Sequence, residues 1–429
     1  MSDDTIFALS SGAPPAAIAV IRISGSAAGA VLSRLSGRAL PEPRRAVQSA
    51  LRNKDGALLD TALVLWLPGP NTATGEDLVE LHCHGGRAVI AAVEGVLERE
   101  AGCRRAEAGE FTRRAFRNGR IDLAEAEGLG DLLAADTELQ RQAALDLAEG
   151  GFSEQIKAWR RSVLGLSAMV EAALDFADED DVSELPPHFA VELQSLAAQL
   201  HEWLSRPRAE RLRDGIRVVL AGPPNSGKST LFNALVQDDA AIVSPEAGTT
   251  RDAIERSVAL DGVPFVVIDT AGLRDAGAGM VELMGIERTH DHLRQADVVL
   301  WLGATEAMPI GSCVIDIDAR IDAPDHCAKP AARIRLSAIT GEGLNALREL
   351  LLEEARILLP QPGSAAINAR QAGLLGDAHA ALLEALGASD PLIGAEYLRQ
   401  ARLAFDRLLG YAATEDMLDA LFARFCIGK

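Results

Sequence analysis

Residues 216–236 read IRVVLAGPPNSGKSTLFNALV. The first six are mostly apolar and β-branched, as in a buried strand, and the last seven repeat apolar residues at helical spacing. Between them GPPNSGKST (222–230) fits G-x-x-x-x-G-K-[ST]. Average composition produces that match on the order of 0.02 times in a chain of this length. Physically it reads as a phosphate cradle. Small residues let successive backbone N–H groups wrap an anion, and the helix N-terminus adds a favourable dipole. Lys228 is placed to reach the β- and γ-phosphates, and the Ser229 hydroxyl to bind Mg²⁺. Asn225, Ser226, Gly227 and Thr230 complete the loop's candidate contacts.

Downstream, PFVVIDTAG (264–272), ADVVLWLG (296–303) and RIRLSA (333–338) continue a strand–loop–helix alternation. That pattern predicts a parallel sheet covered on both faces. A phosphate loop alone serves ATP as readily, so guanine rests on the companion motifs. In AGTTRD (247–252) the hydroxyl of Thr250 can complete an Mg²⁺ shell. Asp269 ends a strand and can hold an Mg²⁺-bound water, and Gly272 offers its N–H to a γ-phosphate. Ser337-Ala338 in LSAITGEG (336–343) is the pair whose backbone reads a guanine carbonyl. In this order the four elements resemble translation-factor-like GTPases. Two departures stand out. Leu273 replaces the glutamine that orients the attacking water in Ras-like proteins. Ala319-Arg320-Ile321-Asp322 stands for Asn-Lys-x-Asp, keeping the carboxylate of Asp322 for guanine N1 and N2 while losing the asparagine.

The 429 residues allow about two to four domains, and 48% apolar with 24% charged residues is a globular composition. No apolar run approaches a membrane span, and the acidic start MSDDTIFALSSG lacks the basic region of a secretory signal. Five scattered cysteines imply reduced thiols and a cytoplasmic setting. A net charge of −20 argues against indiscriminate nucleic-acid binding. Arginines nevertheless cluster at 104–120 and 206–217, where a solvated charged face is the simplest reading.

The chain changes texture three times. Residues 1–118 mix β-rich runs (AIAVIRIS, TALVLWLP, DLVELHCH) with a helical stretch at 87–100, an α+β unit. Residues 119–213 are helical, with Leu139, Ala143 and Leu147 on one stripe and Val163, Leu166, Val170 and Leu174 on another. The acidic run DFADEDD (175–181) reads as an exposed helix end or loop. Residues 214–358 hold the phosphate loop, and 359–429 are helical again, with Leu398, Ala401, Phe405 and Leu408 on one face. Helices on both sides suggest an inserted domain. The simpler alternative is a tail that follows as a separate unit.

His82-Cys83-His84 invites a metal reading, but in a strand the histidines face away from the cysteine, and no Cys-x-x-Cys completes a site. The favoured reading is a strand running into the Gly85-Gly86 turn. The chain closes in FCIGK (425–429). Lys429 argues against a prenylation box, which leaves a frayed tail with an incidental thiol or a functional Cys426.

GPPNSGKST, AGTTRD, DTAGLR, VELMGIER, GEFTRRAFRNGRIDLAEAE and FCIGK together resemble the MnmE (TrmE) tRNA-modification GTPases along essentially the whole chain. The resemblance implies an N-terminal α+β folate-binding domain that dimerises, a helical domain split in sequence, and an inserted Ras-like P-loop G domain with a doubly wound, mostly parallel sheet. It implies a K⁺-dependent GTPase that works with the MnmG flavoprotein, as a homodimer within a heterotetramer. The pair would add an aminomethyl or carboxymethylaminomethyl group to C5 of wobble uridine in certain tRNAs, using ammonium or glycine and a one-carbon tetrahydrofolate. Arg22, Glu80, Arg120 and Lys429 would hold the folate; Arg120 stands where lysine also occurs and keeps the cation with a different geometry. Asn225, Ser244, Glu246 and Thr249 would surround K⁺, which supplies the charge an arginine finger gives elsewhere. Glu282 would orient the water that Leu273 cannot, and Cys426 would serve the modification chemistry. The arginines at 104–120 are open to tRNA, folate or dimer-rim roles. Two other classes compete: a ribosome-assembly GTPase without base chemistry, which leaves the N-terminal unit and FCIGK unexplained, and an ATP-dependent kinase-like enzyme, encouraged only by Ala319.

Overall fold

The structure, a computed structural model, describes residues 4–175, 185–237, 254–270, 291–309, 313–324, 326–360 and 366–429. The chain divides into two compact units. One comprises Met1–Gly130, Ser153–Arg160 and Leu403–Lys429; the other comprises Asp131–Phe152 and Arg161–Arg402.

The first unit is built on strands β1 (Thr5–Leu9), β2 (Ile18–Ser24), β3 (Val47–Arg52), β4 (Leu58–Leu67), β5 (Leu78–His84) and β6 (Cys103–Arg105). Their order is β3-β4-β5-β2-β1-β6, antiparallel throughout except β1 beside β6. The period of two sets the faces. Val79, Leu81 and Cys83 of β5 are buried with Ile21 and Ile23 of β2, while Arg22, Glu80 and His82 occupy the other face. The strand reading of His82-Cys83-His84 therefore holds, and helix Arg87–Leu97 starts after Gly86. Leu32, Val93 and Leu97, from helices Ala28–Ser36 and Arg87–Leu97, close that core. Each such side chain, fully buried, contributes about 2 kcal/mol. On the opposite face, Phe111 of helix Glu110–Arg117 covers Ile6 and Ala8.

Residues 403–429 return to this unit, so they are not a separate tail. Phe405, in helix Pro391–Leu409, lies 6.1 Å ring to ring from Trp159. Leu418 and Phe422 of helix Glu415–Phe422 pack with Phe425 on Leu123 and Ala126.

The second unit holds β7 (Ile216–Ala221), β8 (Ile254–Leu260), β9 (Val263–Asp269), β10 (Val298–Trp301), β11 (Cys313–Ala319) and β12 (Ile334–Leu336). The order is β12-β11-β10-β7-β9-β8, parallel apart from the edge strand β8. Alternate residues of β7 feed two cores. Val218 and Leu220 meet Leu231, Leu235, Leu347 and Leu351 from helices Lys228–Gln237 and Leu344–Leu358; Val219 and Ala221 meet Ile268, Leu293 and Ala296 on the other face. The next parallel strands, β9 and β10, flank β7 on opposite sides. The strand order thus reverses at the carboxyl end of β7, where such sheets hold their ligands.

Helix His188–Leu204 packs along Ala369–Gly387, so elements before and after the sheet in sequence meet. A capping box opens the latter helix. Asn368 Oδ1 accepts from Gln371 N–H at 2.9 Å, and Gln371 Oε1 accepts from Asn368 N–H at 3.1 Å. The acidic run 175–181 lies almost wholly outside the described residues.

Candidate functional site

The loop 222–227 leaves β7 and enters helix Lys228–Gln237. Gly222 has φ +152°, and a Cβ there would sit 3.1 Å from the backbone of Leu302 and Gly303, so the loop tolerates only glycine. Asn225 takes φ +60°, a conformation asparagine tolerates better than most residues. The buried Lys228 folds back over the loop, donating to the carbonyls of Gly222 (3.2 Å) and Pro223 (2.8 Å). Ser229 Oγ donates to Asp269 Oδ2 at 2.7 Å, across from the end of β9. Thr270 Oγ1 donates to the Leu220 carbonyl at 2.8 Å and ties β9 to β7 at that point.

The sequence-predicted pair Ser229 and Asp269 is thus brought together. Two converging oxygen ligands, one from a carboxylate only 1% exposed, suit a hard divalent cation. Ser226 Oγ is buried without a partner among the described residues, in a loop whose N–H groups suit an anion. Both observations fit a magnesium-bound nucleotide.

A cleft of about 890 Å³ opens from this loop. Asn225, Gly227, Lys228, Ser229 and Thr230 line one side; Ala319, Asp322 and Ala338 line the other. Ser337 is fully buried, and its Oγ accepts from the N–H groups of Ile339 (3.3 Å) and Thr340 (3.1 Å). That turn leaves Ala338 on the cleft wall, so Ser337 shapes the site from behind. Ser226 likewise lines a smaller neighbouring cavity with Asp318 and His326.

Two wall residues escaped the sequence reading. Arg320, at φ +58°, donates from Nη1 to the Asn225 carbonyl at 3.1 Å, and its stem lies against Gly227. It occupies the lysine place of the degenerate Asn-Lys-x-Asp, the signal that could have revealed it. Ile339, 76% exposed, also faces the cleft, and no sequence signal marks it. Ser244, Glu246, Thr249, Thr250, Gly272, Leu273 and Glu282 lie outside the described residues.

The first unit carries a second group. Arg22 and Glu80 stand opposite each other in the β2–β5 ladder, with Arg22 Nη2 2.8 Å from Glu80 Oε1. Within the arginine cluster 104–120, Arg105, Arg117 and Arg120 are exposed, as a solvated charged face requires, but most of the cluster is ion-paired within the unit and Arg114 is buried. Arg104 pairs with Asp4 and Glu110, Arg105 with Glu94 and Glu98, Arg114 with Asp4, Glu76 and Glu110, and Arg113 and Arg117 with Glu415. Arg120 is exposed and has no carboxylate partner among the described residues.

The frayed-tail reading of residues 425–429 is overturned. Gly109 N–H donates to the Cys426 carbonyl (3.5 Å), Ala108 and Ile427 form an antiparallel bridge, and Ser10 Oγ donates to the Gly428 carbonyl (2.9 Å). The Cys426 side chain is exposed. Cys83, by contrast, has its thiol pushed up to about 12 by burial and then by the charge of Asp60, which leaves it inert. No group of three metal-ligating side chains occurs among the described residues.

A parallel sheet with a phosphate loop at its switch point, a Ser–Asp pair for Mg²⁺ and an aspartate on the facing wall define a P-loop GTPase. Residues 5–120 match the family model of the GTP-binding protein TrmE N-terminus, and residues 123–426 match that of the MnmE helical domain. The tRNA modification GTPase MnmE of Erythrobacter litoralis (strain HTCC2594) is 61% identical, over 99% of this chain and 100% of that protein. The protein of the same name from Novosphingobium aromaticivorans is 58% identical over 99% and 100%. Among solved structures, the G domain of the T. maritima FeoB iron transporter is 26% identical, over 33% of this chain and 98% of that chain, at a TM-score of 0.25. The chain belongs to the tRNA modification GTPase MnmE family.

Proposed function

We propose that this GTPase turns over GTP in the cleft at the end of β7 and couples it to modification at C5 of wobble uridine in tRNA. The observation that carries the first half is the pairing of Ser229 and Asp269 beside Lys228, with Asp322 and Ala338 across the same cleft. Family membership over the whole chain supports the second half. Bound Mg²⁺ neutralises charge on the phosphates. The protein's part is to orient them. Lys228 exchanges the Gly222 and Pro223 carbonyls for phosphate oxygens, Ser229 and Thr250 hold the cation, and Asp322 accepts from guanine N1 and N2. Glu282 orients the attacking water in place of Leu273, and Gly272 N–H meets the γ-phosphate. Asn225, Ser244, Glu246 and Thr249 hold K⁺ between paired G domains.

In the first unit, Arg22, Glu80, Arg120 and Lys429 hold a one-carbon tetrahydrofolate, and Cys426 acts beside it. The half-buried Arg22–Glu80 pair and the carboxylate-free, exposed Arg120 support this reading. Residues 1–118 form the folate and dimerisation domain, 119–213 and 359–429 the two parts of the helical domain, and 214–358 the inserted G domain. The protein acts in the cytoplasm as a homodimer with the MnmG flavoprotein and tRNA. Nucleoside analysis of tRNA from a strain lacking the gene tests the whole reading. Loss of the C5 group, restored by the intact gene, is the expected result. Unchanged wobble uridine would favour a ribosome-assembly GTPase.

A further inference from the structure

Phe422 and Phe425 are anchored by their buried rings, and beyond them residues 426–429 are held through their backbone. Gly109, at φ +67°, lies so close that a Cβ there would fall 2.3 Å from the Phe422 carbonyl oxygen. Gly428, at φ +95°, would put a Cβ 2.2 Å from the Leu9 carbonyl oxygen. The Gly428 approach seats the segment on the end of β1, and Gly109 with the Ala108–Ile427 bridge holds it at the start of helix Glu110–Arg117, while the side chains of Cys426 and Ile427 stay exposed. Lys429 N–H turns back to the Cys426 carbonyl at 3.2 Å. The side-chain hydrogen bond in this seat is Ser10 Oγ to the Gly428 carbonyl.

Ser10 is itself fixed. Its N–H donates to the Val20 carbonyl at 2.7 Å, which extends the β1–β2 ladder past Leu9. Two residues back, Ala8 stands opposite Arg22, and Arg22 stands opposite Glu80. The seat therefore joins the segment carrying Cys426 and Lys429 to the end of β1 and, through Ser10 N–H, to β2, the strand that carries Arg22 and pairs it with Glu80 of β5.

We propose that Ser10 is a positioning residue for the modification reaction: its hydroxyl, through the Gly428 carbonyl, sets where Cys426 and Lys429 stand relative to Arg22 and Glu80. This rests on the reading that Cys426 serves that reaction. Ser10 is not among the described residues that line the phosphate-loop cleft.

The test compares Ser10→Ala and Ser10→Thr in the full-length protein. Hydrogen exchange at the amides of residues 427–429 should speed up about tenfold in the alanine variant, the worth of one lost hydrogen bond. The kcat for tRNA modification should fall about tenfold, with the KM for tRNA, GTP turnover and Tm unchanged. Threonine, which keeps the hydroxyl, should restore both. Unchanged exchange in Ser10→Ala, or faster exchange with full modification, would overturn the proposal. An equal loss in Ser10→Thr would mark a packing defect and overturn it as well. Full modification by Cys426→Ser would remove the underlying reading. Normal modification by Ser10→Ala beside an inactive Cys426→Ser would overturn the positioning role alone.

Discussion

Ala319 and Arg320 stand where related GTPases carry an asparagine and a lysine. Arg320 retains the tie to the phosphate loop through the Asn225 carbonyl, while Ala319 provides no side-chain polar group. On the proposed reading, discrimination for guanine falls on Asp322, which lines the cleft. Asp322→Asn should lower the preference for GTP over ATP by at least about tenfold, because a mismatched buried edge leaves polar groups unpaired. Competition binding measures it, and ATP competing equally with GTP in the unmutated protein would refute the base assignment. Cysteine chemistry is decided at this scale too. Iodoacetamide at pH 8 should label exposed Cys426 and Cys327 well before Cys83, whose buried thiol is held near 12. Peptide mass spectrometry reads the order, and early labelling of Cys83 would contradict it. Lys228, Ser229 and Asp269 were legible in the sequence because phosphate and Mg²⁺ chemistry fixes residue type at fixed spacing. Arg320 was visible as the lysine place of a degenerate motif but its contact was not, and Ser10 was not legible at all, since their partners, Asn225 and Gly428, lie far away in sequence and only folding brings them together.

Helix Glu110–Arg117 shows what an element adds. Its arginines read as part of a solvated charged face, yet Arg114 is buried among Asp4, Glu76 and Glu110, and Arg104, which precedes the helix, shares two of those carboxylates. Breaking such a set leaves charge uncompensated, so Arg114→Ala should cost about 3 kcal/mol, read by denaturant unfolding. Burial alone would raise the pKa of Glu110, but the Arg104 guanidinium, the Glu107 N–H and Arg114 outweigh it and hold the carboxyl below its usual range. A depressed folded value means the stabilisation is complete at neutral pH. It is lost as pH falls below about 4.3 toward the folded value. Tm should drop over that window in the native protein and less in Glu110→Gln; identical profiles would refute the assignment. Strands such as β2, β5 and β7 were legible from their apolar alternation or runs. The antiparallel edge β8 was not, because IERSVAL is too polar to stand out as a strand and its direction is set by pairing with β9.

For the whole molecule, the order of textures along the chain foretold that helices would flank an α/β sheet. It could not say that residues 403–429 would return to the first sheet, because that depends on side chains such as Phe405 and Phe422 meeting Trp159 and Phe116. The central claim is that one chain holds two separate chemistries: GTP turnover in the second unit and base modification at Cys426 in the first. Cys426→Ser tests it most directly. The measurement is nucleoside analysis of tRNA from cells carrying only that variant, paired with the GTP hydrolysis rate and Tm of the purified protein. The account predicts loss of the C5 group on wobble uridine with GTP turnover and Tm unchanged. Full modification by the serine variant, or loss of GTP turnover together with modification, would contradict it.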